Sequence, residues 1–267
     1  MVKLIAVDMD GTLVNSKKEL PQEIFSIIEE LAERNIKFVI ASGRQYYNLK
    51  NAFCDNTKDI IYIAENGAVI YENGKNIYAD VMEEGLLARL IAPIRETEDA
   101  FPVFCGIKSA YIEDCDAEFV ENAQMYFNCE SIPNIMDALK VDEICKIAIY
   151  DKRGAEENVY PLVVKHCEDV QIVVSGENWA DISNKGINKG RAIAFLQKRH
   201  QIGKKHCMAF GDFLNDLEML GACDFSFAME NAHPILKENA RFIAKSNDEN
   251  GVIEVIHALL DGSVLEI

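Results

Sequence analysis

No apolar run in this 267-residue chain approaches the ~20 residues that a membrane-spanning helix requires, and the amino terminus has no basic segment leading into a signal-type apolar core. A membrane partner is therefore not expected, and a cytoplasmic location is. Basic residues are scarce as well: 27 Lys and Arg stand against 44 Asp and Glu, for a net charge of -17. That balance argues against nucleic acid as a partner, because its binders usually carry a basic patch that neutralises phosphates. The eight cysteines, Cys54, Cys105, Cys115, Cys129, Cys145, Cys167, Cys207 and Cys223, include no Cys-x-x-Cys pair, which excludes the common zinc spacings. In a chain without a secretory signal they read as free thiols acting as small core hydrophobes. There is no internal repeat or low-complexity tract. No Gly-x-Gly-x-x-Gly follows the first apolar run, so the nicotinamide-binding fingerprint is missing too.

What is present is enough apolar material, 49% of residues, for one large domain or for a core with an insertion. Leu4-Ile5-Ala6-Val7 reads as a buried strand that delivers Asp8-Met9-Asp10-Gly11 to its carboxyl end. Residues 21–35 repeat apolar side chains at helical spacing (Ile24, Ile27, Ile28, Leu31), and residues 36–41 follow as a second strand ending in Ser42-Gly43-Arg44. A third strand, 60–64, runs into Glu65-Asn66-Gly67-Ala68, whose Asn-Gly predicts a hairpin to residues 69–71. This is the first layer of a doubly wound, mostly parallel α/β sheet, in which ligands bind at the carboxyl ends of the strands.

From about residue 81 the pattern changes. It comprises a helix with Leu86, Leu87, Leu90 and Ile91, strands near 101–107 and 109–113, a helix near 117–126, a strand at 146–150, a helix near 155–167 and a strand at 171–174. Residues 81–183 thus read as an inserted α+β domain, with 1–80 and 184–267 forming the core. Lys189-Gly190 then opens a strong helical pattern. A lysine at the positive end of a helix hints at an anionic partner. Residues 207–210 form another strand, and Gly211-Asp212-Phe213-Leu214-Asn215-Asp216 turns from its end into a helix. An Asp-x-Asp pair or an Asp at a helix start is common as a turn former or cap. Two acid clusters at strand ends, together with a hydroxyl and a lysine, are hard to explain as caps.

Asp8-Met9-Asp10-Gly11-Thr12-Leu13, Ser42-Gly43-Arg44, Lys189-Gly190 and Gly211-Asp212-x-x-Asn215-Asp216 resemble the four motifs of the haloacid dehalogenase superfamily of phosphatases. The insert resembles the cap of its Cof-type, subclass IIB members, and so do the segments at 65–68, 228–232 and 247–252. The resemblance implies a Mg²⁺-dependent phosphatase acting on small phosphorylated metabolites such as sugar phosphates, nucleotides or phosphorylated cofactors. Asp8 would be the nucleophile and Asp10 the general acid and base. Asp8, the Asp10 backbone carbonyl and Asp212 would hold the metal, with Asp216 behind them holding a water or Lys189. Ser42, the amides of Met9 and Gly43, Lys189 and Asn215 would bind the phosphoryl oxygens.

Several alternatives stay open on residues alone. A sugar phosphomutase would use the same covalent intermediate, and a phosphoacceptor or phosphate-binding module would use the same pocket without turnover. Lys189 is preferred to Lys185 because Gly190 and the helix follow it directly. Arg44 either reaches substrate or pairs with an acid. Nothing in the sequence bears on oligomeric state.

Overall fold

The computed structural model describes residues 1–53, 60–113, 115–166 and 169–263. The expectations for Cys54 and Cys167 lie outside the described residues. Strands β1 (Leu4–Asp8), β2 (Lys37–Ala41), β3 (Ile60–Ala64), β4 (Val69–Glu72) and β5 (Lys75–Ala79) come first in the chain. Next are β6 (Ala100–Gly106), β7 (Ala110–Ile112), β8 (Cys129–Ser131), β9 (Ile144–Asp151), β10 (Val170–Gly176) and β11 (Trp179–Asn184), then β12 (Cys207–Gly211), β13 (Phe225–Met229) and β14 (Phe242–Ala244). Two compact units result: residues 1–44, 49–75 and 188–267 in one, residues 45–48 and 76–187 in the other.

The first unit is an α/β layer structure around a sheet ordered β14-β13-β12-β1-β2-β3-β4. Strands β14 to β3 in that order are all parallel, and β4 turns back antiparallel to β3. The strand order reverses direction between β1, whose sequence successors β2 and β3 lie to one side, and β12, followed by β13 and β14 on the other. That reversal opens a crevice at the carboxyl ends of β1 and β12. Every residue of β1 and β12 is buried, as expected of central parallel strands covered on both faces, and this explains why both read as unbroken apolar runs. Helix Ile24–Glu33 buries Ile24, Ile27, Ile28 and Leu31, the four positions marked by the helical period.

The predicted hairpin at Asn66-Gly67 forms, with Ala64 opposite Val69, but not as a two-residue turn. Glu65, Asn66 and Gly67 are all left-handed, at φ of 50°, 54° and 104°. The cause lies outside the hairpin: the Glu65 N–H donates to the Arg44 carbonyl and the Asn66 N–H to the Ser42 carbonyl, so the turn is shaped by the loop after β2. Gly67 fits because a Cβ there would lie 2.4 Å from the Asn188 carbonyl oxygen.

The second unit is α+β, with a six-stranded sheet ordered β10-β11-β9-β6-β7-β8. Its pairs are antiparallel except β7 with β8. Helix Glu84–Glu96 buries Leu86, Leu87, Leu90, Ile91 and Ile94. Strands β8 and β11 escape the periodicity reading because short or polar stretches such as Cys129–Ser131 and Trp179–Asn184 carry little apolar alternation. Of the six described cysteines, Cys105, Cys145, Cys207 and Cys223 are buried as small hydrophobes, whereas Cys115 is exposed. Among the described residues no helix is long and apolar enough to cross a membrane.

Candidate active site

At the crevice, β1 ends in Asp8, whose neighbours in register are Ala41 at the end of β2 and, one residue past Phe210, Gly211 at the end of β12. Those two neighbours lead directly into Ser42 and Asp212. The fourth contributor, Lys189, is the first residue of helix Lys189–His200, and Asn188 caps that helix by accepting the Arg191 N–H at 2.8 Å. Residues far apart in sequence thus converge because parallel strands end on a common edge.

Lys189 is fully buried, and its Nζ donates to Asp8 Oδ1 at 2.5 Å and to Asp216 Oδ1 at 2.7 Å. Asp216, also fully buried, accepts the backbone N–H groups of Asp212 (3.0 Å) and Phe213 (3.2 Å) on its other oxygen. It therefore ties the β12 loop to the lysine. Asp212 accepts the Thr12 hydroxyl at 3.0 Å. Gly11 permits this approach: its φ is +78°, and a Cβ would sit 2.3 Å from Asp212 Oδ2. Gly190 is equally constrained, since its Cβ would meet the Glu218 carbonyl oxygen at 2.3 Å.

The Ser42 hydroxyl oxygen accepts the Arg44 N–H at 3.1 Å, and among the described residues its own proton has no acceptor. Asn215 donates to Asn66 Oδ1 at 3.2 Å. Met9 is buried in the turn after β1, where its carbonyl accepts the N–H groups of Leu13 (3.1 Å) and Val14 (3.0 Å). The Asp10 side chain leaves the buried cluster and is gripped on both oxygens by Arg44: Nε donates to Oδ2 at 2.8 Å and Nη2 to Oδ1. Lys185 belongs to the second unit, whereas Lys189 is in the first with the acids.

Burial pushes the Asp8 carboxyl well above its ordinary range; Lys189 pulls it down, and Asp216 and Asp212 push it up again. Burial, reinforced by Asp216, raises Asp212 to about 6 against the Thr12 hydrogen bond. For Lys189 burial opposes the charge, but Asp216 and Asp8 outweigh it and hold the ammonium protonated.

One oxygen each of Asp8, Asp212 and Asp216 lies within 4.8 Å of the other two. Three carboxylates against one ammonium leave the cluster short of two positive charges. An all-oxygen donor set with a deficit of that size fits a hard divalent cation.

Sequence reading missed three supports. Thr12 and Asn66 lie inside quoted motifs, but their partners are 200 and 149 residues away. Asn231 donates to the Gly11 carbonyl at 2.8 Å across 220 residues. Only the polar character of these positions within the quoted segments hinted at them.

Comparison with known proteins places the chain in a family. The haloacid dehalogenase-like hydrolase family model matches residues 5–256. The 5-amino-6-(5-phospho-D-ribitylamino)uracil phosphatase YbjI of Escherichia coli is 32% identical, with 97% of this chain and 96% of that protein covered. A Bacillus subtilis protein of the same name, YwtE, is 29% identical over 98% of this chain and 99% of its own length. A crystal structure from Streptococcus mutans superposes with a TM-score of 0.85 at 31% identity, covering 98% of this chain and all of that one. With the match running from the first strand to the last helix, this chain belongs to the haloacid dehalogenase-like hydrolases of the Cof type and is a phosphatase among them.

Proposed function

We propose that the enzyme is a Mg²⁺-dependent phosphomonoesterase that hydrolyses small phosphorylated metabolites through an aspartyl phosphate on Asp8. The observation that carries this reading is the buried cluster itself: a carboxylate at the end of a central strand, held by a lysine that a second acid anchors, with a third acid alongside.

In the proposed reaction an oxygen of Asp8 attacks phosphorus in line, the bond from phosphorus to the ester oxygen breaks, and Asp10 gives that oxygen its proton. Asp10 then takes a proton from water as the water oxygen attacks the phosphoryl group. This releases inorganic phosphate and restores the Asp8 carboxylate. Lys189 offsets the charge of Asp8 and the incoming phosphate. The Ser42 hydroxyl, the Met9 and Gly43 amides and the Asn215 amide bind the equatorial oxygens, where one preorganised donor typically contributes about 3 kcal/mol to lowering the barrier.

Asp8 and Asp212 through their side chains and Asp10 through its backbone carbonyl would hold Mg²⁺, with Asp216 acting from behind through Lys189. When bound, the ion orients the phosphate and neutralises charge that would otherwise repel the nucleophile.

Two of the relatives are named for a phosphorylated ribityl-pyrimidine. That compound heads the panel of sugar phosphates, nucleotides and phosphorylated cofactors to be screened for phosphate release. The expected result is release from at least one small monoester, abolished by chelation and restored by Mg²⁺. Equal activity after exhaustive chelation contradicts the metal role, and a silent panel contradicts the substrate class.

A further inference from the structure

We infer that Arg44 is a positioning residue that holds Asp10 in the orientation from which it protonates the leaving group. The inference rests on the reading of Asp10 as proton donor. Alone among the site's acids, Asp10 has a side chain that is 51% exposed, so nothing in its packing fixes its rotamer. Orientation comes instead from the two-point fork of Arg44, and among the described residues no other side chain bonds the Asp10 carboxylate. The fork occupies two of the roughly four lone-pair sites of a carboxylate and leaves the rest for proton exchange.

The base of the fork is itself immobilised. The Arg44 N–H is held by the Ser42 hydroxyl oxygen at 3.1 Å and the Arg44 carbonyl accepts the Glu65 N–H at 3.1 Å, while the Ser42 N–H is paired with the Ile63 carbonyl at 2.9 Å. On the other side, Asp10 bridges to Val14, and Asn231 pins the Gly11 carbonyl at 2.8 Å. Both ends of the pair are thus mounted on fixed backbone. Solvent screens a pair this exposed, and its two-point geometry fixes the orientation of the carboxylate.

A positioning role makes a prediction that a structural role does not. Protonation matters for an alkyl ester, whose alkoxide leaves poorly, and hardly at all for p-nitrophenyl phosphate, whose phenolate leaves unaided. The measurement is kcat/KM, which reports the steps through leaving-group departure, for glucose 6-phosphate and p-nitrophenyl phosphate in the wild type, Arg44→Ala, Arg44→Lys and Asp10→Asn. Another alkyl phosphate that the enzyme accepts can replace the hexose ester.

Arg44→Ala should lower the alkyl-ester value about tenfold or more relative to the aryl ester, with an unchanged melting temperature. Arg44→Lys, which keeps the charge but not the planar fork, should stay at least about threefold below the wild type on the alkyl ester. Asp10→Asn should show the same selectivity more strongly. Equal losses on both esters in Arg44→Ala, or full recovery with lysine, would overturn the positioning role while a selective Asp10→Asn leaves the donor reading intact. An Asp10→Asn variant that loses both esters equally would remove the donor reading and this inference with it.

Discussion

Lys189 is the residue on which the site's charge balance turns. Among the described residues its ammonium is the sole cationic partner of Asp8 and Asp216, so Lys189→Met would leave two buried carboxylates without their counter-charge. Breaking a buried pair in this way costs about 3 kcal/mol or more, and turnover should fall at least about a hundredfold. Chemical denaturation and steady-state kinetics check the two effects separately. Asp212 shows the opposite relation between function and stability. A carboxyl raised to about 6 binds its proton more tightly folded than unfolded, so its contribution to stability is complete below the unfolded value near 3.8 and is lost as pH rises through about 6. In the chelated protein at pH 7.5, Asp212→Asn should therefore melt about 2 °C or more higher than the wild type, with no such gain at pH 4, and should be inactive with Mg²⁺ present. An unchanged melting temperature at pH 7.5 would show that the burial of this carboxylate carries no strain. Ser42→Ala should lower kcat/KM about a hundredfold and also lower the melting temperature, because the Arg44 N–H loses the hydroxyl oxygen that accepts it.

At the scale of elements, the site depends on how closely helix Lys189–His200 approaches helix Leu217–Gly221. Gly190 sets that approach: with a Cβ 2.3 Å from the Glu218 backbone oxygen, Gly190→Ala forces backbone apart and moves Lys189 away from both acids. The expected cost is about 1–3 kcal/mol of stability together with a loss of activity, read by thermal melts and kinetics. The elements carrying the site were legible because three of the four motifs, those at Asp8, Ser42 and Asp212, follow an apolar run in a central strand, as at Leu4–Asp8 and Cys207–Gly211. The helix at 24–33 was legible from its period for the same reason. Contacts formed only when the chain folds were not. The Arg44 fork on Asp10 spans 34 residues, and the open choice between substrate and acid as its partner had no local signal to settle it. The hairpin at Asn66-Gly67 was legible as a reversal, but its extra left-handed residue came from hydrogen bonds to the loop after β2.

For the whole molecule, 44 acidic against 27 basic residues surround a site that must admit an anion. Long-range repulsion is screened over about 10 Å at 0.1 M salt. Raising ionic strength should therefore increase kcat/KM for a nucleoside polyphosphate more than for a monophosphate; identical salt responses would show that the field does not reach the crevice. The central claim is narrower than any of these effects, namely that one buried carboxylate captures the phosphoryl group. Borohydride reduction of the enzyme quenched during turnover with substrate and Mg²⁺, followed by peptide mass spectrometry, tests it most directly. The Asp8 side chain should be reduced to the alcohol in the wild type and not in Asp8→Asn. Reduction at another residue, or none in an enzyme that is turning over, would contradict it.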